Sequence, residues 1–274
     1  MRTLRFDVFP DVGAFTPLQL KPHFILSVCF NGSERWSREY GVPHQTAIRD
    51  LQTAFVLQVA RVSYHDRYTY TDADRLSIAI TRQSRRNGSQ VEVRASFETP
   101  GGSMVAESSL CIVPLSLSDA SGELAGLPAP MPPSYMSTFE PSERLEEPYP
   151  SPFPGMLNQI IESGELLSSY QYPLFINRHQ CEFVDQWFFV EAGNLAAASR
   201  EHMVFEQGAR LPLLRRGLSL PVRELNLLYS RPFYLFDVGK VLTRAFRSHE
   251  GVVFVHELIK DDPSELHALV LERF

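Results

Sequence analysis

One passage of this chain is written twice. Residues 61–82, RVSYHDRYTYTDADRLSIAITR, are echoed by residues 226–247, NLLYSRPFYLFDVGKVLTRAFR. Tyr64 aligns with Tyr229 and Asp72 with Asp237, and both pairs (229 − 64 and 237 − 72) differ by 165 positions. The echo continues. Asn87-Gly88 and then VEVRASFE are mirrored by Glu250-Gly251 and then VVFVHELI. The closing stretches MVAESSLCIVPL (104–115) and LHALVLERF (266–274) each carry an alanine two residues in, Ala106 and Ala268. Repetition on this scale constrains the fold more than any local motif, because both halves must be the same structural unit. Each half reads as strand, helix, and then three or four antiparallel strands. Gly88, Gly101-Gly102 and Gly251 punctuate the hairpins.

Local patterning fills in the units. His23–Phe30, HFILSVCF, suits a buried strand, and Asn31-Gly32-Ser33 is a turn signal. In residues 33–60, Ala47, Ile48, Leu51 and Phe55 share a helical face, which makes this stretch the expected central helix of the first unit. In the second half, Phe175, Asn177, Cys181 and Phe183 alternate as a strand would, and Asp185 follows. The aromatics Trp187, Phe188 and Phe189 lead into a helix from Glu191 to about Gln207. Leu195, Ala198, His202 and Phe205 form its expected buried face, and Ala196–Ala198 keep it thin enough for a curved sheet to wrap. Residues 1–22, with Pro10, Pro17 and Pro22, read as an irregular arm. Residues 117–172 are crowded with Pro, Ser and Glu and read as mostly extended, with a short helix in 156–167.

The order of strand, Asp, turn and helix is similar to the entry into the central helix of the hot-dog-fold thioesterases. Their pattern runs roughly Asp-x-x-Gly-His-Val-Asn-Asn-x-x-Tyr. Here Asp185 and Val190 match, Phe188 and Phe189 stand for Gly-His, Glu191 and Ala192 for the two Asn, and Leu195 for Tyr. A second hot-dog passage, Tyr-x-x-Pro-x-x-x-x-Asp, resembles YSRPFYLFD (229–237) with Pro232 in place, and YHDRYTYTD (64–72) with Arg67 at the Pro position. The resemblance implies an α+β, tandem (double) hot-dog fold. Two curved antiparallel sheets would each wrap a central helix and form an intrachain pseudodimer. The parts would be an arm (1–22), a first unit (23–116), a linker or lid carrying Phe139, Tyr149 and Phe153 (117–172), and a second unit (173–274).

The same resemblance implies an acyl thioester of coenzyme A or of acyl carrier protein, bound where the two units join. The central-helix N-terminus would polarise the carbonyl. A carboxylate would act as nucleophile or general base. Asp185 is the first choice for that acid and Glu191 the second. The backbone N–H groups of Val190, Ala192 and Gly193 are the expected oxyanion donors. Trp187, Phe188, Phe189, Tyr64, Tyr229 and Asn31 are the expected pocket residues, and Arg215 and Arg216 the expected phosphate contacts. No cofactor or metal is implied. Each residue also has a plainer reading: Asp185 as an N-cap, Glu191 as a first-turn acid, Asn31 as a turn residue, the tyrosines as packing and the arginines as a solvated loop. The first unit carries no acid matching Asp185, so one active site per chain is expected. Dehydration, isomerisation or acyl transfer in polyketide or other specialised metabolism is the alternative reaction class, and a non-catalytic acyl-binding protein the alternative role. None of the eight histidines stands in the His-x-x-x-Gly-x-x-x-x-Pro context of double hot-dog polyketide dehydratases.

Composition narrows the partners. A formal net charge of −6 argues against nucleic acid. Cys29, Cys111 and Cys181 are odd in number and widely spaced, which implies a reducing compartment without a disulfide framework or zinc site. No apolar run has signal-peptide or membrane-span length, so a cytoplasmic, membrane-free protein is expected. A tandem chain supplies its own pseudodimer and is expected as a monomer or homodimer.

Overall fold

The computed structural model describes residues 1–72, 74–117, 126–151, 153–183, 185–249, 251–261 and 265–274. The first half runs β1 (Thr3–Val8), α1 (Pro22–Tyr40), α2 (His44–Leu51), β2 (Thr53–Tyr64), β3 (Leu76–Arg85), β4 (Gln90–Glu98) and β5 (Met104–Leu117). Between the halves lie β6 (Gly126–Pro128), α3 (Pro133–Met136), β7 (Arg144–Leu145) and α4 (Phe153–Ser163). The second half is β8 (Glu165–Phe175), α5 (Glu191–Gln207), α6 (Arg216–Ser219), β9 (Glu224–Tyr229), β10 (Val238–Ser248), β11 (Gly251–Lys260) and β12 (Glu265–Arg273).

A single sheet passes through both halves in the order β1-β3-β4-β5-β2-β9-β12-β11-β10-β8. The repeat maps this order onto itself, β1 onto β8, β3 onto β10, β4 onto β11, β5 onto β12 and β2 onto β9. At the centre, β2 and β9 pair through Val59↔Leu228, Arg61↔Asn226 and Ser63↔Glu224. Arg61 and Asn226 are themselves 165 positions apart, so the pseudo-two-fold axis passes through this pair. Tyr64 pairs with Ala106 and Tyr229 with Ala268, which makes the two alanines structural equivalents. The two expected sheets are thus fused edge to edge. α1 packs against β3, β4 and β5, α5 against β8, β10 and β12, and the two helices touch.

The repeated polar residues serve the backbone. Tyr64 donates its hydroxyl to Leu20 O (2.8 Å) and Tyr229 to Trp187 O (3.1 Å), each tying down the segment that enters a central helix. Asp72 accepts from Thr69 N (2.9 Å) and Asp237 from Tyr234 N (2.8 Å), so each closes a turn three residues back.

Several expectations are corrected. His23–Phe30 is the first half of α1 and not a strand. Pro22 sits in its first turn, where the missing N–H costs nothing, and Ile25, Leu26, Cys29, Gly32, Ser33 and Trp36 bury one helical face. An eight-residue apolar run cannot by itself separate a buried strand from a buried helix. The expected central helix in 33–60 splits instead. Its first residues finish α1, α2 follows, Gln52 at φ +50° ends α2, and Phe55 lies in β2. Residues 3–8 of the supposed arm pair with β3 as an edge strand. In the second half the strand precedes Phe175 rather than following it, so residues 165–172, placed in the linker, form most of β8. α5 has its expected span but buries another face: Ala192, Ala196, Ser199, Arg200 and Met203 point inward. Phe205 is 83% exposed and His202 lies outside against the Tyr172 ring. Hydropathy misleads here because the buried stripe carries Ser199 and Arg200.

The segment between the halves is structured where described; residues 118–125 lie outside the described residues. Phe139 stacks on Trp36 at 5.8 Å, and the buried Glu143 accepts from Arg2 N and Nε and from Glu140 N. α4 covers the sheet face opposite α1 and α5: Phe153 and Ile160 pack with Val253, Val255, Leu269 and Leu271, while the alternate residues Val252, Phe254, Ala268 and Val270 face the helices. Cover on both faces explains the near-continuous apolar runs of β11 and β12. Gly251 (φ +138°) opens β11; Glu250 lies outside the described residues. Among the described residues no helix is long and apolar enough to cross a membrane.

Gly239 pairs with Lys260 on β11, and an added Cβ would stand 2.3 Å from Ile259 O. A backbone carbonyl held in a sheet cannot step aside. Gly239→Ala is therefore expected to destabilise the protein by about 1–3 kcal/mol, measured by denaturant titration.

Candidate active site at the joint of the two halves

Residues 176–190 enter α5 as a loop clamped to residues 233–237. Ile176 N donates to Asp237 O, Phe236 N to Ile176 O, Leu235 N to Asp185 O and Trp187 N to Phe233 O, all within 3.0 Å. Within it, Cys181 bridges to Trp187 and Glu182 N donates to Gln186 O (2.8 Å). Asp185 lies at the tip of this turn with φ +56°. Its side chain is 49% exposed, and its Oδ2 is 3.4 Å from Arg178 Nη2.

The loop closes one side of a small cavity of about 50 Å³. Glu182, Gln186, Trp187, Phe188, Phe189 and Tyr229 line it from the second half; Phe30 of α1, His44 of α2 and Ala54–Leu57 of β2 line it from the first. Phe30 contacts Phe188 (5.5 Å between centroids) and Phe189 (5.7 Å), and Trp187 stacks on Tyr229 (5.9 Å). Phe183, 73% exposed, also lines the cavity and carries it to the surface.

Three polar groups interrupt this aromatic wall. Burial pushes the Glu182 carboxyl up to about 7. Burial also lowers His44; Glu34, 3.7 Å from its Nδ1, acts against that and Arg82 with it. His44 Nε2 and Trp187 Nε1 are buried without a hydrogen-bond partner among the described residues. Buried polar atoms seldom stay unpaired, and those that do call for an explanation.

Asp185 and Glu191 are not among the lining residues. The carboxylate that lines the cavity is Glu182. Glu191 is engaged on both oxygens, Oε1 with His23 Nε2 (3.0 Å) and Oε2 with Asn194 Nδ2 (2.9 Å), so it brackets the N-termini of α1 and α5. Burial would raise it, but the bonds from His23 and Asn194 outweigh that and hold it below its ordinary value. The expected oxyanion donors fare unevenly. Ala192 N already donates to Phe189 O (3.1 Å), and Gly193 lines a different cavity. Trp187, Phe188, Phe189 and Tyr229 line the joint as expected. Tyr64 is committed to Leu20. Asn31, expected in a turn, is an exposed residue on α1. Arg215 and Arg216 are exposed, away from the joint.

Glu182 and His44 are the functional candidates that sequence patterning missed; Trp187 is expected in the pocket, but not as a hydrogen-bond donor. Glu182 falls between Cys181 and Phe183, where strand alternation turns it outward; the only available signal was a carboxylate inside an apolar stretch.

The sequence matches no family model and no curated protein. Solved structures do match along the whole chain. A Lactobacillus plantarum protein assigned as an oleoyl thioesterase superposes with a TM-score of 0.72 at 10% identity, covering 99% of this chain and 94% of its own. A 12:0-ACP thioesterase from Umbellularia californica gives 0.68 at 8% identity, with 99% and 96% covered. An acyl-ACP thioesterase from Bacteroides thetaiotaomicron gives 0.66 at 11%, with 98% and 96% covered. The chain has a double hot-dog fold. In that fold the cavity described above belongs to the joint between the two hot-dog units, and α5, which follows the Asp185 loop, is the second unit's central helix.

Proposed function

We propose that the protein is a thioester hydrolase that works on an acyl thioester, of coenzyme A or of a carrier protein, at this joint. The structurally similar proteins include acyl-ACP thioesterases. The observation that carries the reading is Glu182: a carboxyl raised to about 7 inside an aromatic cavity built by both units. A base with that affinity is about half ionised near neutral pH and accepts a proton strongly when it is.

The reaction then assigns the three polar groups. Glu182 takes a proton from water as its oxygen adds to the thioester carbonyl carbon. The buried Trp187 Nε1–H donates to the developing oxyanion, where a pre-placed donor is worth most. When the tetrahedral intermediate collapses, the C–S bond breaks and the thiolate leaves with the proton that Glu182 took from water, while His44, whose Nδ1 side faces Glu34, presents its Nε2 to that water. The cavity has room for the reacting group and a water, so a longer acyl chain must displace Phe188 or Phe189 or run out past Phe183.

The test is release of free thiol from a panel of acyl-CoA and acyl-pantetheine thioesters across pH. The base works only when deprotonated. Activity should therefore be low in acid, rise through a single ionisation near pH 7, and level off above it. A changed acyl group without thiol release would replace hydrolysis by another thioester reaction, and binding without turnover would leave an acyl-binding protein.

A further inference from the structure

The pseudo-two-fold axis gives the joint cavity a mate. There the segment entering α1, Thr16–Pro22 of the first unit, faces α5, α6 and the C-terminal end of the second unit, reversing the roles seen at the joint. This cavity has a volume of about 410 Å³, within the range of small-molecule pockets.

Its floor is polar without structural need. Arg200 Nε lies 3.2 Å from Glu272 Oε2, which is 3.2 Å from His256 Nε2. His256 Nδ1 is 2.8 Å from Thr243 Oγ1, which is 2.6 Å from Ser199 Oγ. All five residues are buried. The repeat supplies a control for this arrangement. Glu272 pairs with Leu225, and the equivalent pair in the first unit is Leu110 with Ala60. Following the ladders outward from these pairs, through β11 and β4, places Thr243 where the first unit has Ile80. Leu110 and Ile80 are fully buried, so the fold accepts apolar side chains at both positions.

One further atom needs a partner. Gln19 Oε1 is buried and has no hydrogen bond among the described residues, and Gln19 lines the cavity together with Arg200. An unpaired buried polar group costs about 1–3 kcal/mol. The charged lining residues cancel, Lys21 and Arg200 against Glu201 and Glu272. Leu218 and Leu220 lie exposed at the rim, with Val222 and Ala197 further along the wall.

We infer that this second cavity binds a neutral, apolar ligand carrying a secondary amide. Arg200 donates to the amide carbonyl, Gln19 Oε1 accepts its N–H, and the apolar body lies along Ala197, Leu218 and Val222. A carboxylate in the same place would meet the ionised Glu272. The site is independent of hydrolysis at the joint.

The test is calorimetric titration of the full chain with N-ethyldecanamide and with decanoate. Leu218→Trp and Ala197→Phe each fill the cavity from its solvent side and leave the buried floor alone. The amide should bind at one site, weakened about tenfold or more by either substitution. Glu182→Gln should leave its Kd within about twofold, and decanoate should bind about tenfold or more weakly than the amide. No binding of the amide, binding untouched by both filling substitutions, loss of binding in Glu182→Gln, or decanoate binding as tightly as the amide would each overturn the inference. The Glu182→Gln arm separates the two cavities: hydrolysis lost with amide binding kept supports both assignments, and amide binding lost moves the ligand to the joint.

Discussion

Glu182→Gln is expected to lower kcat/KM for thiol release by about 10²- to 10⁴-fold, the ordinary loss on removing a general base. The substitution keeps the size and hydrogen-bonding outline of the side chain and removes only its ability to take a proton. Asp185→Asn should cost less than about tenfold, because that carboxylate is half exposed, paired with Arg178 and outside the cavity wall. Stability separates lost chemistry from lost folding. Between its ordinary value of 4.5 and the folded value of about 7, Glu182 holds a proton in the native state that the unfolded chain releases. Stability from this site therefore falls as pH rises through that window. Glutamine carries no such proton, so the melting temperature of Glu182→Gln should equal wild type in acid and exceed it near pH 8. A variant that is inactive and less stable throughout would refute the role given to Glu182. If Asp185→Asn shows the larger loss, the base is Asp185 and the joint cavity is not where water is activated.

The same contrast shows how far residues alone could lead. The 165-residue repeat was legible because Tyr64, Asp72 and their mates make bonds to backbone that both units need, so the residue types recur. It yielded the two equivalent units and their hairpins, while local patterning yielded the span of α5. It did not yield α1, since HFILSVCF is apolar enough for either element and only the tertiary setting decides. Nor did it point to Glu182, the acid of the proposed site. The hot-dog resemblance pointed to Asp185 by alignment, but the tight turn at 182–186 sets Asp185 at the tip with positive φ and leaves Glu182 facing the cavity. Which carboxylate is desolvated depends on Phe30, His44 and β2, all more than a hundred positions away in the chain, and no local pattern carries that information.

The buried floor of the second cavity was equally hidden, since Ser199, Arg200, Thr243, His256 and Glu272 come from four different elements. Its energetics give the other large effect. Glu272→Ala leaves the Arg200 guanidinium and His256 buried without their shared carboxylate. It should destabilise the protein by about 3–5 kcal/mol, the usual result of removing one partner from a buried ion pair. By contrast, the double substitution Arg200→Met/Glu272→Leu should recover most of that loss, because the first unit already shows Leu110 packing at the position of Glu272. Burial alone would raise Glu272, but Arg200 and then His256 outweigh it and hold the carboxyl below its ordinary value. A depressed acid contributes stability above its unfolded pKa of about 4.5 and loses that contribution as pH falls through its folded value. Glu272→Gln should therefore narrow its stability gap to wild type on acidification below that range, while a substitution acting through packing alone would keep the gap constant. Denaturant midpoints from neutral pH down into that acid range decide it. A constant gap, or a double variant as unstable as Glu272→Ala, would mean that the polar chain is needed for the fold, and the argument that it is kept for a ligand would lose its main support.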